Sequence, residues 1–469
     1  MTGTAGSCAP NSTKENKPMD EMHQTSGNDA PVADLKALPE RRLISFAGCW
    51  RHVYFHVRAK PVAAPEGRAR KPVGLALVVD RSGSMAGNKI ETAKQAVVAV
   101  LDRLDERDRV GVVIYDNVID VLHPAAPASP EVKAAIREAL AEVDARGSTA
   151  LHQGWLTGCQ AIATDSVDTE RVTRCFLLTD GLANVGETDP ERIAVDAARV
   201  RERALITTST FGIGSDYDEG LLGPMAVAGG GQFHHLRTTE DIARAFMGEL
   251  GEMTQVSVRQ AVLELEFALG LDVELLSDYW TAREGASRVR IAIGDLIAGE
   301  ERHIVARLCF PAHGGPGEWL VRARLLWLAE GAPRSTEWLD LRFAYAPETA
   351  CDAEEPDRTV MHWACLHDAE RAKREAVARS RRGDLDGARI SLRAASERMR
   401  PHAAFDADLG STMVSIERMA LHIGRAPTSS EFAKNVTYTA YSRTRSQRDL
   451  RRAEDEPDEQ DDQEEQEES

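Results

Sequence analysis

The sequence predicts an α/β chain in which a doubly wound, mostly parallel six-stranded sheet is joined to an antiparallel β-sandwich and a small C-terminal helical region. Three observations carry this. An unbroken apolar run, Leu75 to Val79, stops at Asp80, and a helical pattern begins at about Asn88. A second run, Cys175 to Thr179, ends in Asp180 and Gly181. Short, wholly apolar segments bounded by polar turns are central strands of a parallel sheet with helices on both faces. From Val256 to Tyr345, by contrast, apolar and polar residues alternate in several segments with no helical pattern between them, which implies an antiparallel sandwich.

Taken in order, residues 1–38 are polar and rich in Ser, Thr, Asn and Pro, a composition expected to give a disordered tail. Between 39 and 70, Val53, Phe55 and Val57 alternate with His52, Tyr54, His56 and Arg58. This is a strand signature that needs partners, and the strands of 254–347 are the expected ones. The α/β region, 72–250, is then an insertion into the sandwich. Within it, strands are expected at about 73–79, 109–115, 118–122, 172–178, 205–212 and 231–236. Ile90, Ala93, Val97, Val100, Leu101 and Leu104 recur at helical spacing after the first strand, and further helices are expected near 130–143, 150–164, 188–203 and 238–250. Gly212-Ile213-Gly214 lacks the third glycine of a dinucleotide loop, since Tyr217 stands there, and reads as a strand end. The Gly229-Gly230-Gly231 run reads as a turn.

In the sandwich, Val289, Ile291 and Ile293 alternate with Arg288 and Arg290, and Trp319, Val321, Ala323, Leu325 and Trp327 alternate with Arg322 and Arg324. Residues 352–423 are rich in Ala, Arg and Glu, with a Gly383-Asp384 break; they read as a helix pair that caps or oligomerises the chain. On the first of these helices only His362 and Cys365 share a face, and with no fourth ligand evident these residues and His367 read as packed or solvated side chains rather than a zinc site. Residues 424–469 read as a mobile tail, with five arginines between 443 and 452 and 11 acids among the last 17 residues.

The chemistry concentrates at strand ends. Asp80-x-Ser82-x-Ser84 gathers one carboxylate and two hydroxyls on one loop, a set that suits a hard cation wanting only oxygen ligands. Standing alone, such spacing is more often an ordinary polar turn. Thr149, in a Gly147-Ser148-Thr149 loop, and Asp180 raise the count to five oxygen groups from three loops, at the sheet edge where open α/β folds bind their ligands. A hydrolase reading of Ser82 or Ser84 is weaker, because the Gly-x-Ser-x-Gly elbow is absent. Asp116, after the second strand, either supports these loops or caps a helix.

The sequence DRSGSM, then GST, then LLTDG resembles the von Willebrand factor A domain and its metal-ion-dependent adhesion site, over about Pro72 to Leu250. The resemblance implies a Rossmann-like fold in which Ser82, Ser84 and Thr149 hold Mg²⁺ through their hydroxyls, with Mn²⁺ or Ca²⁺ as alternatives, while Asp80 and Asp180 act directly or through water. It further implies a protein partner whose Asp or Glu completes the metal shell. The layout, with a sandwich following the domain, is similar to that of bacterial proteins akin to inter-α-trypsin-inhibitor heavy chains. The expected function is metal-dependent protein binding rather than catalysis. Service as accessory subunit of an ATPase or of a metal-handling complex is the alternative, and a hydrolase stands behind both.

Composition narrows the partners. The net charge is −18, which makes nucleic acid an unfavourable ligand. Seven cysteines at irregular spacing argue for thiols rather than a disulfide framework. No run reaches the roughly 18 apolar residues of a membrane span, and the N-terminal residues do not read as a signal peptide. The cytoplasm is the expected compartment, and oligomeric state is left open.

Overall fold

The computed structural model describes residues 32–61, 70–163, 171–214, 216–238, 240–329, 332–423 and 429–445. Three strands come first: β1 (Ala33–Pro39), β2 (Leu43–Ser45) and β3 (Cys49–Ala59). An alternating segment follows, comprising β4 (Val73–Asp80), α1 (Asn88–Arg103), β5 (Arg109–Tyr115), β6 (Ile119–Pro127), α2 (Pro130–Ala141), α3 (Leu151–Ile162), β7 (Val172–Thr179), α4 (Pro190–Ala204), β8 (Ile206–Ile213), α5 (Glu219–Gly229), β9 (Gly230–Leu236) and α6 (Glu240–Gln255). Then come eight strands: β10 (Val256–Phe267), β11 (Asp272–Leu275), β12 (Trp280–Glu284), β13 (Arg288–Ile297), β14 (Glu301–Phe310), β15 (Glu318–Ala329), β16 (Ala332–Ser335) and β17 (Leu339–Ala346). The described chain closes with α7 (Glu348–Ala353), α8 (Arg358–Arg381), α9 (Leu385–Ala403), α10 (Ala407–Ile423) and α11 (Ser430–Thr444).

Strands β4 to β9 form one sheet in the order β6-β5-β4-β7-β8-β9, parallel except for the β5–β6 pair. Because side chains alternate across a strand, Leu75, Leu77 and Val79 join the core with α1 and α6, while Ala76 and Val78 join the core on the opposite face, with α3, α4 and α5. Each fully buried Val or Leu contributes about 1.5–3 kcal/mol, and all eight residues of β4 are buried. Two glycines one helical turn apart seat α3 tightly. A Cβ on Gly154 would lie 2.5 Å from the Tyr115 ring, and one on Gly158 would lie 2.2 Å from Val78 Cγ2. This close approach fixes where the segment before α3, with Thr149, meets the sheet.

The sandwich has a four-stranded sheet, β1-β3-β14-β11, and a seven-stranded sheet, β12-β13-β10-β15-β17-β2 with β16 paired to β15. Its core holds Val53, Phe55, Val57, Leu263, Ile291, Ile304, Leu325 and Phe343. In sequence, the α/β segment separates β3 from β10. The outer face of the four-stranded sheet is covered by α8, where Tyr54 and Val305 meet Val360, Ala364 and Trp363.

Four sequence expectations require correction. The 1–38 tail was set too long: residues up to 31 lie outside the described ones, but Ala33–Pro39 is a strand whose Leu35 pairs with Val57. The 424–469 tail likewise contains α11, while 446–469 lie outside the described residues. A helix, α5, also stands over 219–229, where no element was expected, and the glycine turn follows it. The helical region holds more than a pair, since α9 packs between α8 and α10, and α11 packs on α8. Among the described residues, Cys49, Cys159, Cys175, Cys309, Cys351 and Cys365 are free, and no helix is long and apolar enough to cross a membrane.

Candidate metal centre and its relatives

Strands β4 and β7 are adjacent and parallel, with Val79 opposite Leu178, so Asp80 and Thr179-Asp180 emerge side by side at the carboxyl edge. Asp80 and Asp180 are both fully buried. Asp80 Oδ1 accepts from the Ser82 amide at 2.7 Å and its Oδ2 accepts from Thr179 Oγ1 at 2.6 Å. Ser82 and Ser84 hydroxyls lie 3.2 Å apart, and Ser84 Oγ donates to Asp180 Oδ1 at 2.7 Å. Ser82 is buried whereas Ser84, in a single 3-10 turn at Gly83–Met85, is exposed.

Thr149 joins from the third loop. A Cβ built on Gly181 would lie 3.4 Å from Ser84 Oγ and 3.5 Å from Thr149 Oγ1, so both hydroxyls flank Gly181. The Thr149 amide donates to Asn184 Oδ1 at 2.8 Å, and the Asn184 amide donates back to the Thr149 carbonyl at 3.1 Å. The five residues singled out in the sequence, Asp80, Ser82, Ser84, Thr149 and Asp180, therefore occupy one end of one sheet.

Four residues that sequence reasoning did not assign complete the site. Thr179 orients Asp80, Asn184 clamps the Thr149 loop, and Lys89, in the first turn of α1, places its ammonium 2.5 Å from Asp180 Oδ2. Arg146 joins Asp116: Asp116 Oδ2 accepts from Arg81 Nε at 3.1 Å and from Arg146 Nε at 2.9 Å, and the Asp116 carbonyl accepts from the Ala150 amide. Asp116 thus ties the Asp80 loop to the Thr149 loop. Burial opposes its charge, but the Val118 amide and the two guanidiniums hold its carboxyl below the usual range. The only available signal for Lys89 was its place in the first turn after the serine loop.

Electrostatics at this edge are unbalanced. Burial pushes the Asp80 carboxyl up to about 6, against the bonds from Thr179 and Ser82, and the charge of Asp180 adds to the rise. Two buried acids beside each other favour a cation between or near them. Lys89 supplies one positive charge from a partly exposed position. The donor set, carboxylates and hydroxyls, is that of a hard divalent ion, and an ammonium already standing against Asp180 shows that the pocket accommodates positive charge. The residues fit such an ion.

A family model described as von Willebrand factor type A domain matches residues 75–246. Among curated relatives, an uncharacterized protein of Synechocystis sp. is 29% identical over 51% of this chain and 57% of its own length. Inter-alpha-trypsin inhibitor heavy chain H4 of Homo sapiens is 32% identical over 38% of this chain and 20% of its own length. The chain thus spans little more than half of the one and a fifth of the other. Among solved structures, a von Willebrand factor type A protein from Catenulispora acidiphila superposes with TM-score 0.64 at 20% identity, covering 81% of this chain and 89% of that one. The ArnB paralog VWA2 from Sulfolobus acidocaldarius gives TM-score 0.56 at 14% identity, covering 87% and 98%. Both likenesses extend over more of the chain than the α/β segment. Residues 75–246 of this chain are a von Willebrand factor type A domain.

Proposed function

We propose that the chain is a protein-binding module whose carboxyl-edge site holds Mg²⁺ and captures an Asp or Glu side chain of a partner. The observation that carries this is the convergence of two fully buried carboxylates and three hydroxyls on one sheet edge, with Lys89 as the counter-charge at Asp180. When bound, the ion would supply a coordination position that an external carboxylate fills. Ser82, Ser84 and Thr149 would hold it through neutral oxygens, which leaves its charge less compensated than a carboxylate cage would and strengthens the pull on an outside acid. Asp80 and Asp180 bear the charge, and Thr179 and Asn184 keep Asp80 and Thr149 in place. Ser84, being exposed, marks the side from which a partner reaches the site. We read the role as binding rather than catalysis: the two serine hydroxyls engage each other and the Asp180 carboxylate, the oxygen groups that would surround the ion together.

The test is twofold. Saturating Mg²⁺ raises thermal stability, by roughly 2.7 kcal/mol at 100 times the dissociation constant, and the gain vanishes in Asp80→Ala. Partner capture from the native cell requires Mg²⁺, is reversed by EDTA, and is lost in Asp80→Ala and Thr149→Ala with circular dichroism unchanged. Capture that survives both substitutions removes the site from the function.

A further inference from the structure

A second cluster of ligand-type side chains lies on the sandwich, on the face of the four-stranded sheet covered by α8. Strands β3 and β14 run antiparallel with His56 directly opposite His303. Glu301 is two residues before His303, so it projects from the same face. Ligand atoms of His56, Glu301 and His303 all lie within 4.8 Å of one another, and His56 Nε2 is 3.2 Å from Glu301 Oε2.

We propose that His56, Glu301 and His303 form a transition-metal site, selective for Zn²⁺ over Mg²⁺, separate from the carboxyl-edge site of the α/β domain. Two imidazoles and one carboxylate are a recognised three-ligand zinc set, with the fourth position left to water or to another ligand. Their nitrogen donors are poorly matched to Mg²⁺. Zinc–nitrogen bonds of about 2.0–2.1 Å in tetrahedral geometry put ligand atoms roughly 3.4 Å apart. The His56–Glu301 separation of 3.2 Å already meets this, and the other ligand-atom separations lie within 4.8 Å.

The surroundings are those of a supported ligand set. The Tyr54 hydroxyl lies 2.7 Å from His303 Nδ1, which fixes ring orientation in the way metal-bound histidines need. Trp363 of α8 stacks on the His303 ring at 3.8 Å, and the His56 ring is parallel to it at 5.2 Å. Glu301 Oε1 faces Arg58 Nε at 3.3 Å while Oε2 faces His56, so the carboxylate is held from behind.

The experiment is Zn²⁺ titration of the full chain by calorimetry, in reducing buffer with millimolar Mg²⁺ present to fill the other site. Wild type should bind one more Zn²⁺ per chain than His56→Gln, and Glu301→Gln should weaken that event at least tenfold. Asp80→Ala should leave it unchanged, which separates this proposal from the adhesion reading. Cysteines bind zinc too, so the comparison between variants, each checked by circular dichroism, defines the site. Equal stoichiometry and affinity in wild type, His56→Gln and Glu301→Gln would overturn the assignment, as would the absence of any Zn²⁺ uptake by wild type.

Discussion

The two ends of the parallel sheet treat buried charge in opposite ways. At the carboxyl end, Asp80 and Asp180 stand together with one partly exposed lysine between them and solvent. Near the amino ends of β7 and β8, Glu249 of α6 is just as buried, but Arg174 pairs with it, and His234 Nε2 lies 2.8 Å from its other oxygen. Arg174 also donates to Thr207 Oγ1 at 3.2 Å and faces Asp295 of the sandwich at 3.8 Å. Burial opposes the charge of Glu249, yet Arg174 and His234 hold its carboxyl down at about 2, whereas Asp80 is pushed up to about 6. One end is neutralised from within and joins the domain to the sandwich. The other keeps an unmet demand for positive charge, which is what a binding site requires.

The comparison breaks most visibly at the closed end. Arg174→Met leaves Glu249 buried with half its compensation, and removing one partner of a buried pair costs roughly 3 to 5 kcal/mol. Urea unfolding monitored by tryptophan fluorescence should show that loss, and Arg174→Met/Glu249→Gln should recover a large part of it. A single-variant cost under about 1 kcal/mol, the scale of a surface pair, would mean that the two ends do not differ in kind.

The sequence displayed the open end far better than the closed one, for a physical reason. Asp80, Ser82, Ser84 and Asp180 lie next to strand ends, where an apolar run stops abruptly, and a polar residue at such a boundary is conspicuous; Thr149 lies in the loop before α3. Arg174 and Glu249 sit inside a strand and a helix, where a charged residue reads as surface until its partner, 75 residues away, is seen. The same blindness hid α11. Lys434 looks like a solvated tail residue, yet its ammonium is buried against the Tyr217 carbonyl and Glu219 Oε2, so a polar sequence packs as a core helix. In α5, Pro224 and three glycines suppress the helical signal, while burial on nearly all sides restores it. Strand β1 is short, contains two alanines and ends in Pro39, features that an edge strand tolerates because only β3 pairs with it. Helix α3 and the sandwich strands β3, β13 and β15, periodic and apolar on one face, were legible.

A smaller effect sharpens the closed end. Glu252, one turn beyond Glu249, accepts from Gln232 Nε2 at 2.5 Å, and burial together with the charge of Glu249 push its carboxyl up to about 7. Its folded-state affinity for protons exceeds the unfolded one, so its contribution is complete below about pH 4.5 and is lost as pH rises through 7. Glu252→Gln should therefore stabilise the protein at pH 8, on the order of 1 to 2 kcal/mol after allowance for solvent screening, and change little at pH 4.5. Melting curves of both proteins across pH 4.5 to 8 decide this. Parallel pH profiles would show that Glu252 is not a strained acid of this network.

The smallest expected effect probes the ammonium that faces Asp180 at the open end. Lys89 donates to Asp180 Oδ2, and a divalent ion binding beside Asp180 must compete with that ammonium for the same carboxylate. Because Lys89 is about a third exposed, the contact is screened, and its loss is on the order of 1 kcal/mol. Lys89→Met should then lower the stability of metal-free protein slightly while tightening Mg²⁺ binding about fivefold, read by calorimetric titration. The opposite outcome, weaker Mg²⁺ binding in Lys89→Met, would mean that the lysine orients Asp180 for the ion instead of standing in its place. The open end would then be preorganised by its counter-charge, as the closed end is, and the contrast between them would lie only in exposure.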